Sequence, residues 1–110
     1  MREKVKLIAL IPARSGSQRI KNKNIYNLNK KPLIAHAINS AIKTNIFDRI
    51  IVSTDSLKYA NIAKKYGAEV PFLRPKKFSK SISPDYEWLK FTIDKLEEEK
   101  YEFSHFFILR

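Results

Sequence analysis

Four short apolar runs alternate with three helical patterns over the chain's 110 residues. That alternation predicts an α/β fold, a three-layer, Rossmann-like and mainly parallel sheet that stops after its fourth strand. Two features support the parallel arrangement. The first two apolar runs are continuous rather than alternating, as strands buried on both faces are. Each connection between strands is also long enough to hold a helix.

VKLIALI (Val5–Ile11) is β-branched and apolar throughout and reads as the first strand. Pro32 opens a helix, because a proline in the first turn gives up an N–H that would be unpaired there. Leu33, Ile34, Ala37, Ile38, Ala41 and Ile42 form its apolar stripe. RIIVSTD (Arg49–Asp55) repeats the strand pattern, and Ser56 or Asp55 can cap the helix that follows. In that helix Tyr59, Ile62, Ala63 and Tyr66 share a face, and Gly67 supplies a left-handed stop. EVPF (Glu69–Phe72) reads as a short third strand, and LRPKKFSKSIS as a loop. Ser83 and Pro84 begin a third helix, with Asp85 and Glu87 favoured in its first turn by the helix dipole. Its expected face is Tyr86, Leu89, Ile93 and Leu96. HFFIL (His105–Leu109) is the fourth strand.

One domain spanning residues 1–110 is the expected organisation. With 44% apolar and 12% aromatic residues, the chain has the material for a core. It contains no cysteine, which excludes disulfides and thiolate metal sites. No apolar run approaches the roughly 18 residues of a membrane span, and MREKVKL has no signal-peptide core. A cytoplasmic protein without a membrane partner is expected. The net charge of +11 raises nucleic acid as a partner. The excess is local, however: residues 1–31 hold nine basic side chains against Glu3 alone. A localised excess suits a small anion better than a polymer tracked along the surface.

The local excess peaks in IPARSGSQRIKNKN, the loop leaving the first strand. In open α/β sheets ligands bind beyond the C-terminal strand ends, where this loop lies. Arg14, Arg19, Lys21 and Lys23 supply positive charge, and Arg14 can fork two N–H groups onto phosphate oxygens. Ser15, Gly16 and Ser17 are small enough for backbone N–H groups to approach an anion. The loop fits neither GxxxxGK[ST] nor GxGxxG. A solvated basic turn is the alternative, but cations crowded this closely repel one another and favour a bound counter-anion.

Asp55 ends the second strand and has two open readings, a helix cap or a carboxylate that holds a hydroxyl or a cation. His36 and His105 read as packing or surface residues. Tyr86, Trp88 and Phe91 read as core rather than as a base-stacking platform. With no nucleophile and base pair in view, positioning and charge neutralisation are the chemistry on offer. Nucleotidyl transfer works in that way, usually with a divalent metal.

IPARSGSQRIKNKNI, KPLIAHAI, DRIIVSTD and AKKYGAEVPFLRP, in this order, resemble the acylneuraminate cytidylyltransferases. These are the synthetases of CMP-sialic acid and of related CMP-nonulosonic acids, the legionaminic and pseudaminic acids among them. The resemblance runs from about Leu7 to Arg110. It implies a nucleotide-diphosphosugar-transferase-like fold and a single nucleotide-binding domain, the N-terminal portion of a larger enzyme. The implied reaction joins CTP to an acidic, sialic-acid-like sugar, giving the CMP-sugar and pyrophosphate for cell-surface polysaccharide synthesis.

By matching position, Ala13, Arg14, Ser15, Gly16 and Ser17 belong to the triphosphate cradle. Lys23 neutralises phosphate charge, and Arg14 and Lys23 are the expected catalytic pair. Asn24 contacts the nucleotide, Arg74 lines the cytidine site with Ser83 on the next loop, and Arg110 stands at the end of the base-binding strand. Gln18, Ser81 and Ile82 depart from the family pattern, where lysine and an Asp-Thr pair are common. Magnesium is the implied cofactor, with its ligands expected beyond Arg110 and none within this chain. A full-length member is expected to be a homodimer, whereas a 110-residue piece is expected not to catalyse alone. The competing readings are a basic nucleic-acid-binding module and a non-catalytic fragment that retains the fold.

Overall fold

β1 (Leu7–Pro12) lies at the centre of a parallel sheet, between β4 (Arg49–Ser53) and β5 (His105–Ile108). The computed structural model describes residues 6–13, 27–28, 31–75 and 85–109. Within them, β2 (Asn27–Leu28) and β3 (Lys31–Pro32) form a small antiparallel pair that the sequence pattern does not announce. The helices are α1 (Leu33–Thr44), α2 (Leu57–Lys65) and α3 (Asp85–Glu98).

Successive residues of a strand face opposite ways, and the sheet uses this to feed two cores. Ile11, Ala13 and Val52 pack on one face with Ile34 and Ile38 of α1 and Tyr59, Ala60 and Ala63 of α2. Ile8, Leu10 and Ile51 pack on the other with Trp88 and Leu96 of α3. The result is the three-layer, doubly wound α/β arrangement that the alternation predicts.

EVPF does not form a third strand. Among the described residues it contributes one parallel bridge, Ile51 to Glu69, made by Glu69 N–H to the Ile50 carbonyl (2.8 Å) and Val52 N–H to the Glu69 carbonyl (2.9 Å). The next donor on that edge would be residue 71, and Pro71 has no N–H. Pairing resumes only where Arg74 N–H donates to the Thr54 carbonyl at 2.8 Å. Among the described residues the sheet therefore has three strands and a bridge rather than four strands. Its order, bridge–β4–β1–β5, is still that of a doubly wound fold.

The helix faces are rotated slightly from the sequence pattern. α1 starts at Leu33, with Pro32 in the N-cap position, and buries Ile34, Ala35, Ile38 and Ala41 while Ile42 is exposed. α3 buries Trp88, Thr92 and Leu96, an i, i+4, i+8 line, and leaves Tyr86 exposed. Thr92 is tolerated in that line because its hydroxyl donates to the Trp88 carbonyl at 2.8 Å. Trp88 is core, as expected. β5 is an edge strand among the described residues, and Phe106 and Phe107 are both partly exposed.

At the N-terminal strand ends the backbone is clasped. Leu7 N–H donates to the Asp48 carboxylate (2.8 Å), Asp48 N–H to the Leu7 carbonyl (2.7 Å) and Ser104 N–H to the Lys6 carbonyl (2.8 Å). Arg49 forks onto Glu69, with Nη2 at 2.8 Å and Nε at 3.1 Å from Oε1, and lies 4.5 Å from the Tyr101 ring centroid. Burial pushes the Tyr101 phenol up, and the Arg49 charge opposes that shift.

The helix ends follow local rules. Ser56 caps α2, its hydroxyl accepting from Tyr59 N–H at 3.2 Å. α2 closes with paired bonds from Gly67 N–H to Lys64 and from Ala68 N–H to Ala63, both at 3.1 Å, with Gly67 at φ 102°. α3 closes in the same way, Lys100 N–H to Glu97 (2.9 Å) and Tyr101 N–H to Leu96 (3.0 Å), but here Lys100 takes the left-handed position at φ 59°.

That contrast predicts opposite outcomes at equivalent positions. Lys100→Gly should stabilise the fold by about 1 kcal/mol by removing a Cβ from left-handed backbone. Gly67→Ala should destabilise it by about 1–2 kcal/mol, since a Cβ there would also meet Ile42 Cδ1 at 3.2 Å. Ser56→Ala should cost about 1 kcal/mol through the lost cap. Urea melts of the three variants against the wild type check all of these.

Candidate functional site

The chain leaves β1 for β4 and the Glu69 bridge on one side of the sheet, then crosses through α3 to β5 on the other. The order therefore reverses between β1 and β5. A crevice opens beyond the C-terminal strand ends at such a reversal, because the neighbouring connections turn to opposite faces. The three strand ends there are Pro12–Ala13, Ser53–Thr54 and Ile108–Leu109, the last held by Leu109 N–H to the Leu10 carbonyl at 3.0 Å.

Ala13 is fully buried at this edge, and its N–H donates to the Ser53 carbonyl at 2.8 Å. The small side chain packs in the α1–α2 core, which fixes the point from which the basic loop departs. Arg74 donates to the same carbonyl, with Nη2 at 2.8 Å from the Ser53 oxygen. Its guanidinium lies over the Trp88 ring, 5.2 Å from the centroid, and the residue is 5% exposed. The Ser53 carbonyl accepts from Nη2 and the indole face lies against the guanidinium, whereas the equally buried Nε has no hydrogen-bond acceptor among the described residues.

Of the nucleotide-site residues named from sequence, Ala13 and Arg74 are thus brought together on one carbonyl oxygen. Arg14, Ser15, Gly16, Ser17, Lys23, Asn24, Ser83 and Arg110 lie outside the described residues, as do Gln18, Ser81 and Ile82. Sequence reading missed Ser53 and Thr54 as acceptors. Thr54 is fully buried, its hydroxyl accepting from Ser56 N–H at 3.2 Å and its carbonyl from Arg74 N–H. Their apolar and hydroxylic neighbours signal only a strand end, and the donor stands 21 residues from Ser53.

Asp55 is half-buried between these groups and α2. Since Ser56 makes the cap, the capping reading of Asp55 falls and its carboxylate remains a candidate for the site. The Tyr59 phenol is pushed up by burial and, secondarily, by the Asp55 charge. His105 opens β5 opposite Leu7, at the far end of the sheet, and His36 is half-buried in α1. Among the described residues no group of three or more His, Asp or Glu side chains could hold a metal ion. No described helix is long and apolar enough to cross a membrane. A groove of about 370 Å³ along α3, lined by Tyr86, Lys90, Phe91 and Asp94 among others, lies apart from the strand ends. Its Lys90–Asp94 pair, at 2.9 Å, is internal to the helix.

The sequence model of the cytidylyltransferase family matches residues 8–98. The chain is 42% identical over 87 residues to an N-acylneuraminate cytidylyltransferase of Escherichia coli O18:K1:H7, covering 79% of this chain and 20% of that one. It is 38% identical over 101 residues to a pseudaminic acid cytidylyltransferase of Campylobacter jejuni, covering 92% and 44%. It is 49% identical over 70 residues to a CMP-N,N'-diacetyllegionaminic acid synthase of Legionella pneumophila, covering 64% and 30%. The chain thus spans less than half the length of these curated relatives. Among solved structures, a CMP:2-keto-3-deoxy-manno-octonic acid synthetase complexed with CTP superposes with a TM-score of 0.71 at 23% identity, over 84% of this chain and 36% of that one. This likeness establishes the fold. The match to the family model along most of its length shows that the chain belongs to the cytidylyltransferase family.

Proposed function

We propose that the site takes CTP and serves transfer of its cytidylyl group onto an acidic nonulosonic sugar, releasing pyrophosphate. The observation that carries this reading is the departure of the basic loop from buried Ala13 at the reversal of strand order. Charge concentrated there can offset a triphosphate at the point where an α/β sheet accepts ligands.

In this reading the anomeric hydroxyl of the sugar attacks the α-phosphorus. A C–O–P bond forms, the bond to the bridging oxygen of the β-phosphate breaks, pyrophosphate leaves with the electron pair, and the hydroxyl proton passes to solvent or a nearby base. Arg14 and Lys23 offset charge on the phosphates, with Ser15, Gly16 and Ser17 offering backbone N–H groups and Asn24 a polar contact. Ser83 and Arg110 belong to the cytidine end of the same site. Magnesium is expected with the triphosphate, and among the described residues no cluster of carboxylates and imidazoles could hold it.

Three relatives named for three different acids match this chain at 42%, 38% and 49% identity. A region so evenly shared among enzymes of different sugars suits the part they have in common, the cytidylyl donor. A cytoplasmic location and a homodimer of the full-length enzyme accompany the proposal.

Addition of CTP with magnesium should raise the thermal midpoint, because a ligand at a hundred times its Kd adds about 2.7 kcal/mol to the folded state. ATP should do less at the same salt. Lys23→Ala should weaken CTP binding about tenfold, whereas Lys64→Ala, on the exposed side of α2, should leave it within twofold. Calorimetric titration reads both. Equal losses, or no midpoint shift with any nucleotide, would count against the site. Steeply salt-dependent binding to DNA without CTP preference would favour a nucleic-acid module instead.

A further inference from the structure

We infer that Trp88 is a positioning residue of the nucleotide site, its indole face fixing the guanidinium of Arg74 at the cytidine end. The inference rests on the CTP reading and on the place of Arg74 in the sequence, which assigns it to that end. Helical spacing marks Trp88 only as core. Core it is, at 2% exposure, but it is also the ring over which the Arg74 guanidinium lies, 5.2 Å from the centroid.

An arginine side chain is long and rotamer-rich, so an unrestrained guanidinium spreads over many positions. The root of this one is fixed by the Arg74 backbone N–H, which donates to the Thr54 carbonyl at 2.8 Å. Its tip is tied by Nη2 to the Ser53 oxygen, also at 2.8 Å. One hydrogen bond at the tip lets the planar fork swing about that bond, and a ring against the fork limits the swing. An indole suits this task better than an aliphatic side chain. Its face carries negative potential, so it holds a cation that burial has taken out of water. The indole is itself held. It packs with Ile8, Leu10, Ile51 and Leu96, and one turn along α3 the Thr92 hydroxyl donates to the Trp88 carbonyl at 2.8 Å. The rigidity of that core thus reaches a charged group at the strand ends. A guanidinium has five N–H donors, so the bond to Ser53 is compatible with a contact to the nucleotide. Donors already in place need not be ordered by the ligand, and binding is tighter for it.

Binding of CTP and of inorganic tripolyphosphate, each with magnesium, would be measured by calorimetry. The proteins are wild type, Trp88→Leu, Trp88→Phe, Arg74→Met, and Trp88→Leu combined with Arg74→Met. Trp88→Leu should weaken CTP about tenfold and Trp88→Phe about threefold, since a smaller ring face remains. Tripolyphosphate, which has no cytidine end, should stay within about twofold in both. In the Arg74→Met background Trp88→Leu should cost CTP no more than about a further twofold, because the residue through which it acts is gone. Trp88 is the single tryptophan, so saturating CTP should change the wild-type emission, and saturating tripolyphosphate should not. Additive losses in the double variant would overturn the inference, as would equal losses for the two ligands. So would a lowered melting midpoint with CTP affinity unchanged, which marks Trp88 as core alone. Emission unaltered at saturating CTP would also count against it. If Trp88→Leu fails to fold, Trp88→Phe carries the same cycle at smaller amplitude. A wild type that binds no CTP would instead defeat the cytidylyltransferase reading, and the inference with it.

Discussion

Two-sided burial of β1 is the constraint on which the fold depends. Ile8, Ala9 and Leu10 have no solvent exposure, because β1 has a strand on each edge and helices on each face. Each large apolar side chain so buried contributes about 1.5–3 kcal/mol, and alternate residues of one short strand contribute to both cores. A strand in that position cannot shift register by one residue without exchanging its faces. Its polarity, once fixed, also fixes where its C-terminal end emerges, which is at Ala13 beside the reversal of strand order. The point at which the chain leaves the sheet after Ala13 follows from the packing of the core.

Much of this architecture was legible in the sequence because it is written locally. VKLIALI and RIIVSTD announce buried strands by their lack of alternation, Gly67 announces a left-handed stop, and Ser56 lies where a cap belongs. Departures occur where a local signal meets a condition set elsewhere. EVPF has strand composition, yet the donor needed to extend the ladder falls on Pro71, and only the register against β4 reveals that. Tyr86 fits a helical stripe, but α3 meets the sheet along Trp88, Thr92 and Leu96, a choice made by packing. Lys100 carries no glycine to mark its left-handed turn, and Tyr101 packing onto the Leu96 core holds it there. At the site, the family pattern named Ala13 and Arg74, but their shared acceptor is a backbone oxygen, which no side-chain pattern encodes.

The two ends of the sheet handle charge in different ways. At the N-terminal ends, cations meet carboxylates or rings: Arg49 has Glu69 and Tyr101, and Lys6 lies 5.4 Å from the same ring. These contacts close the backbone and satisfy the charges where they stand. At the C-terminal ends, Arg74 brings its charge to a neutral carbonyl and an indole, so the positive field there is not cancelled by those partners. The sequence adds Arg14, Arg19, Lys21 and Lys23 in the loop leaving that edge, with no acidic residue between Ala13 and Ile25. Those four cations follow one another in sequence with no carboxylate among them, and their mutual repulsion is what a bound polyanion would relieve.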